Sequence, residues 1–275
     1  MPIRFTRALM REPPATVMEG LRAIDRGAPD PDRLRAEHAA YAAALHEAGL
    51  TVEILPPLDT HPDSLFLEDP ALAFPEGAIL LRPGAASRFG EAEALRPELE
   101  SRFERVIALP GPGTVDGGDV LTPPSEGGVE RVLIGLSERT DAAGAQALVQ
   151  ALAHLGKRGD IVRTPPGVLH FKSECAPLRP ETVLATERLA ASGVFDGLRV
   201  IRVPEGEEPA ANTLAVNHLT LAPAGYPATA ECLAAAGFTV REVAVREVEK
   251  LDAGLSCLSL RWDAAPRRGG PVEAA

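Results

Sequence analysis

Apolar and polar positions along this chain form a pattern that returns at a spacing of roughly 40–50 residues. Residues 31–49 carry apolar side chains at helical spacing, with Asp30 placed to cap, Pro31 at the first position and Gly49 as a stop. Thr51-Val-Glu-Ile-Leu55 then reads as a strand. Residues 141–156 repeat the design, with an acidic start and a glycine stop. Residues 226–237 are a third copy, followed by a strand over 238–243. Between these helices lie paired short apolar runs that read as hairpins: 71–74 with 78–81, 119–121 with 131–134, and 213–216 with 219–221. Two pairs end in related turns, Arg82–Arg88 and Gly135–Thr140, and the third ends in Ala222–Pro227.

The recurring cycle is polar residue, hairpin, turn, helix, strand. Asp69, Asp119, Asn212 and Cys257 each stand just before or at the start of such a unit, separated by 50, 93 and 45 residues. The long gap has room for one more unit, near residues 173–178 and 182–185. Repeated ββαβ units around an axis are therefore expected, with equivalent strand starts converging near the centre. That arrangement would gather Asp69, Asp119, His170 and Cys257. The competing reading is a layered α/β domain with irregular loops. Residues 123–128 read as a hairpin loop, not a linker, so a single domain over 1–263 is expected, with a disordered tail over 264–275.

Composition narrows the function classes. The 275 residues are 45% hydrophobic, enough for a full core. No run of 18 apolar residues exists, so no membrane span is expected. Met1–Arg7 lacks the apolar stretch of a secretory signal. Cys175, Cys232 and Cys257 are odd in number and widely spaced, which points to a reduced, cytoplasmic setting. Neither CxxC nor HExxH occurs, so no metal site is expected. The formal charge of -11 argues against nucleic acid as a partner and is compatible with a small cationic one. Three lysines against 25 arginines read as genome composition.

Candidate chemistry lies in four places. Cys257 begins an apolar run that reads as the last strand, after Asp252-Ala-Gly-Leu-Ser256, where a turn can expose the thiol. Lone cysteines in strands are commonly buried packing, and Cys175 is the rival nucleophile. Of six histidines, only His170 is placed in an apolar strand, beside Lys172 and Ser173; proton transfer is its natural task, a satisfied core position the alternative. Asp63, Glu68, Asp69, Asp116 and Asp119 flank short strands. Carboxylates that accept paired hydrogen bonds suit a planar guanidinium. Arg88 and Arg139 end the two matching turns and could clamp a substrate carboxylate. Together these describe a thiol enzyme acting on an amino acid with a cationic side chain.

The chain resembles the dimethylarginine dimethylaminohydrolases, members of the guanidine-modifying superfamily that includes arginine deiminase. The resemblance runs from about Arg7 to Trp262. It rests on Pro62–Pro70, Arg82–Arg88, Pro112–Asp119, Ile134–Thr140, Val168–Ser173, Ala211-Asn212 with Val216-Asn217, Pro223–Pro227 and Lys250–Cys257. It implies a five-bladed α/β propeller around a central active site. It further implies Cys257 as nucleophile, His170 as general acid/base and Asp116 as the acid that orients the histidine. Asp63, Glu68 and Asp69 would bind the substrate's cationic end, Arg88 and Arg139 its carboxylate. Leu21 would lie on an N-terminal lid and Leu251 would offer backbone contacts to the α-amino group. No cofactor is implied, and a monomer or homodimer is expected. Ala253 stands where a second glycine is usual, Phe171 where leucine is common, and Glu174-Cys175 departs from the pattern. The implied reaction converts Nω-methylated arginines to citrulline and an amine. An arginine deiminase, an amidinotransferase and a non-catalytic arginine-binding protein are the alternatives; arginine deiminases are longer and carry an added helical domain.

Overall fold

A computed structural model describes residues 3–123 and 130–264. All of the loop expected at 123–128 but Pro123, and all of the tail expected at 264–275 but Ala264, lie outside the described residues. Ala264 is described, and its N–H donates to Thr6 Oγ1 at 2.8 Å.

The elements follow the cycle read from the sequence. β1 (Arg7–Arg11), α1 (Pro31–Glu47) and β2 (Thr51–Leu55) come first. β3 (Ala71–Phe74), β4 (Gly77–Leu80), α2 (Phe89–Glu100) and β5 (Val106–Ala108) form the next unit, then β6 (Val120–Leu121), β7 (Arg131–Leu136), α3 (Ala142–His154) and β8 (Arg158–Arg163). β9 (Cys175–Arg179), β10 (Thr182–Ala185), α4 (Glu187–Ala190) and β11 (Arg199–Arg202) follow. β12 (Leu214–Val216), β13 (Leu219–Pro223), α5 (Pro227–Ala235) and β14 (Val240–Val243) make the last full unit, before α6 (Arg246–Glu249) and β15 (Leu260–Trp262).

These build five three-stranded sheets, each an antiparallel pair followed by a parallel strand reached through a helix. The fifth sheet joins both ends of the chain: β15 pairs antiparallel with β1, and β1 pairs parallel with β2. The result is a five-bladed α/β propeller.

A three-stranded blade cannot bury itself, and the buried side chains show how the blades solve this together. Five apolar clusters each lie between two neighbouring blades. The period-two alternation of a strand feeds both interfaces. Val132 and Ile134 of β7 pack toward the β3–β4 blade, whereas Leu133 packs toward β9–β10. Ala8 and Met10 of β1 face the β12–β13 blade, and Leu9 faces β3–β4. This two-sided burial is why the inner strands read as continuous apolar runs.

Helix ends follow local chemistry. Asp30 accepts from the N–H groups of Asp32 and Arg33 to start α1, and Asp141 accepts from Gly144 to start α3. Two local expectations are corrected. His170 is not in a strand but just ahead of a 3-10 turn, Phe171–Ser173. The Phe171 N–H is taken by Asp119 Oδ1, and Ser173 N–H closes back on His170 O, so no strand ladder forms. Cys257 likewise sits inside a 3-10 turn, Ser256–Leu258, and the last strand starts only at Leu260.

Candidate active site

Inner strand ends and the turns before them converge on a pocket lined by Leu21, Asp63, Asp69, Arg88, Arg139, His170, Leu251 and Cys257, with Phe66, Leu169, Asp252 and Ala253 between them. Eight of the ten predicted site residues thus share one wall. The other two, Asp116 and Glu68, do not line it, for different reasons.

Asp116 is fully buried behind the histidine. Its Oδ2 lies 2.9 Å from His170 Nε2, while Oδ1 accepts from Gly84 N–H at 2.6 Å. Glu68 is held among polar partners beside the pocket. Its Oε1 is paired with Lys172 Nζ at 2.6 Å and Arg261 at 3.1 Å, and its Oε2 accepts from Ser256 Oγ at 2.7 Å. Two cations draw the carboxylate away, and Glu68, Lys172 and Ser256 line a separate cavity of about 430 Å³. Glu68 still touches the site through Ser256, the neighbour of Cys257.

The turn that carries Cys257 is held from the β12 blade. Asn212 Oδ1 accepts from Ser256 N–H at 2.9 Å, and its Nδ2 donates to Lys172 O at 3.1 Å. A Cβ on Gly254 would come within 2.5 Å of the Asn212 side chain, so only glycine admits this contact. Asn212 was legible as a unit start, but nothing in the sequence revealed this support. The acidic loop is packed as tightly. A Cβ on Gly117 would meet Glu68 O at 1.9 Å, while Gly118 N–H donates to Asp69 Oδ1 at 2.9 Å. The two glycines bring the Asp116 and Asp69 segments into direct contact.

Charges in the pocket are strongly coupled. Burial works against the charge of Asp69, but Arg88, then His170, hold its carboxyl down at about 2. Burial alone would lower His170; the charge of Asp69, the hydrogen bond to Asp116 and the charge of Asp119 outweigh it and raise the imidazole to about 9. Burial, with Glu68 and Asp69 nearby, pushes the Cys257 thiol up to about 12. Asp63 is raised by burial. With both groups raised, neutral pH favours the imidazolium of His170 and the thiol of Cys257. Cys175 is buried, its Sγ donating to Phe171 O at 3.2 Å, and burial raises its pKa further still.

The two arginines differ. Arg88 is buried; it pairs with Asp69 and bidentately with Glu91, and donates to Phe66 O at 3.0 Å, leaving little of its guanidinium for a ligand. Arg139 makes no ion pair among the described residues. A strap over residues 20–26 covers the pocket. Leu21 N–H donates to Asp63 at 3.0 Å, Ala23 N–H to Asp252, and Arg26 to Asp252 at 3.0 Å. Asp252 adopts a positive φ of 53°. Its partners lie more than two hundred residues away, so its anchoring role had no local signal.

Among the described residues, Asp69, Asp116 and His170 are the one group with metal-ligand side chains within 4.8 Å of one another. Asp116 is hydrogen-bonded to His170, and Asp69 accepts from Arg88 and from Gly118 N–H.

Blade topology and the central pocket define the class: a five-bladed α/β propeller with a thiol, an imidazole and carboxylates gathered at its centre. No family model matches the chain. It is 36% identical over 259 residues to N(G),N(G)-dimethylarginine dimethylaminohydrolase of Pseudomonas aeruginosa, covering 94% of this chain and 100% of that one. It is 34% identical to the enzyme of the same name from Streptomyces coelicolor, covering 93% and 96%. A solved structure of the Pseudomonas aeruginosa protein, a cysteine-to-serine variant complexed with citrulline, superposes with a TM-score of 0.89 over 94% of this chain and 100% of that one. The chain belongs to the dimethylarginine dimethylaminohydrolase family.

Proposed function

We propose that this protein hydrolyses Nω-methylated arginines, asymmetric dimethylarginine and monomethylarginine, to citrulline and dimethylamine or methylamine. Cys257 is the nucleophile and His170 the general acid/base, oriented by Asp116. The observation that carries this reading is the shared pocket of Cys257, His170 and Asp69 in a chain that matches a named relative over its full length.

Asp69, held ionised, receives the guanidinium, with Asp63 nearby; Glu68 acts at one remove through Ser256. Arg139 takes the α-carboxylate, with the remaining Nη1 hydrogen of Arg88 as a second donor. Leu21 and Leu251 offer backbone groups to the α-amino end. Such fixing of the substrate sets the guanidinium carbon before Cys257 Sγ.

A thiol at about 12 is unreactive until something favours its anion. The arriving guanidinium supplies that positive charge, and the thiol proton leaves to solvent. Thiolate attack forms the S–C bond and a tetrahedral adduct. His170, already protonated, gives its proton to the departing amine as the C–N bond breaks, leaving a covalent thiouronium. His170 then takes a proton from the attacking water, and the second tetrahedral adduct collapses: the C=O forms as its hydroxyl proton passes to solvent and the S–C bond breaks, releasing citrulline and the thiolate.

The pocket holds about 40 Å³, below the ~300 Å³ typical of small-ligand sites, and the 20–26 strap is the segment whose displacement would enlarge it. The test is citrulline release from asymmetric dimethylarginine and from arginine in parallel, with Cys257→Ser as control. Citrulline from the methylated substrate, lost in the variant, is the expected result. Release from arginine alone would make the protein a compact deiminase, and no citrulline from either would point to amidino transfer or binding.

A further inference from the structure

Asp119 is completely buried and does not line the pocket, yet every side-chain partner it has belongs to the support of a pocket residue. Its Oδ1 accepts from Phe171 N–H at 2.9 Å, the peptide that follows His170. Its Oδ2 accepts from Ser137 Oγ at 2.6 Å and Thr140 Oγ1 at 2.7 Å, the two hydroxyls that bracket Arg139. Those hydroxyls are in turn fixed by backbone. Ser137 Oγ accepts from Arg139 N–H at 2.9 Å and Thr140 N–H at 3.2 Å. Thr140 Oγ1 accepts from Asp116 N–H at 3.1 Å. One carboxylate thus ties together three segments: the histidine turn, the arginine turn and the peptide of the histidine's acid partner.

We propose that Asp119 is a positioning residue that sets His170 and Arg139 relative to each other, so that the proton-transfer end and the carboxylate end of the pocket keep a fixed separation. The proposal rests on the reading of the pocket given above. A purely structural acid would have partners scattered through the core. This one has its acceptor capacity divided between the two turns. An uncharged isostere cannot satisfy both, because an amide offers one acceptor oxygen where the carboxylate offers two. Its charge also acts on the imidazole: Asp69, Asp116 and Asp119 are the charged groups that raise His170.

Asp119→Asn tests this. In the steady state, KM for methylarginine is expected to rise and kcat to fall, each by about tenfold, because both ends of the substrate lose their register. Ser137→Ala, which cuts only the arginine arm, is expected to raise KM with kcat retained. A second readout needs no substrate: in an NMR titration of the free protein, the His170 ring should titrate at lower pH in Asp119→Asn than in wild type and unchanged in Ser137→Ala. If wild type fails to release citrulline, the functional reading falls, and the titration still decides the role of Asp119. Wild-type KM, kcat and His170 titration in folded Asp119→Asn overturn the proposal. Should that variant not fold, an unchanged KM in Ser137→Ala overturns it.

Discussion

His170 Nε2 and Asp116 Oδ2 lie 2.9 Å apart, joined across 54 residues of sequence, with the carboxylate wholly buried. The carboxylate favours the charged imidazole, so the pair stores a proton where the proposed leaving group departs. Asp116→Asn removes that charge while keeping the shape. A drop in kcat of roughly 10²–10⁴, with KM little changed, is expected from lost proton transfer. His170 is held at about 9, and losing an anionic partner moves it toward its ordinary 6.5. The alkaline limb of the kcat profile should therefore shift to lower pH. An unmoved limb would show that it belongs to another group.

Cys257 and Cys175 make opposite predictions toward alkylation. A cationic haloacetamidine should label Cys257 rapidly and leave Cys175, buried under Phe171, unmodified. Mass spectrometry after brief exposure reads the site directly. Labelling at Cys175 with Cys257 untouched would transfer the nucleophile's role.

Arg139→Ala and Arg88→Ala should separate binding from architecture. The first removes a side chain with no ion-pair partner among the described residues, so KM should rise with kcat and melting temperature nearly unchanged. The second leaves buried Asp69 and Glu91 facing each other without their cation, at a cost of about 3–5 kcal/mol in stability. Thermal unfolding of the two variants side by side checks this; equal melting temperatures would refute the division.

Asp252→Ala should loosen the strap. Its carboxylate holds the Ala23 and Ile24 peptides and the Arg26 side chain over the pocket. Faster proteolysis between residues 20 and 28, with a raised KM, is expected. Unchanged cleavage kinetics would mean that Leu21 on Asp63 suffices to hold the strap.

Buried His38 gives a stability prediction of opposite sign to His170. Burial lowers it to about 4, and its Nε2 has no hydrogen-bond partner among the described residues. Below pH 6.5 the unfolded chain takes up a proton that the folded one refuses. Its contribution is therefore complete above 6.5 and is lost as pH falls toward 4. His170, raised, contributes fully below 6.5 and loses its share as pH climbs through 9. His38→Leu should flatten the unfolding free energy between pH 6.5 and 4, by up to about 3 kcal/mol against wild type. Parallel curves for the two proteins would contradict this.

Much of the architecture was legible because it is local. Asp30 and Asp141 cap their helices within three residues, and the hairpin runs of β3–β4, β6–β7 and β12–β13 carry enough apolar side chains to declare themselves. α2 was not legible: Gly90 and Pro97 interrupt its pattern, and packing of Ala92, Leu95 and Leu99 between blades holds it. β8 and β11 have exposed arginines in place of an apolar run, and are strands because β7 and β10 supply ladder partners.

The sequence by itself determined the repeating unit, its caps and glycine stops, and the residue types gathered at the strand starts, since each depends on neighbours within a few positions. Tertiary structure alone decided the closure of β15 on β1, the withdrawal of Glu68 to Lys172 and Arg261, the turns that carry His170 and Cys257, and the anchoring of the strap by Asp252. Each of these is set by a partner between about 40 and 260 residues away, and hydrogen bonds and ion pairs across such distances leave no periodicity in the chain to read.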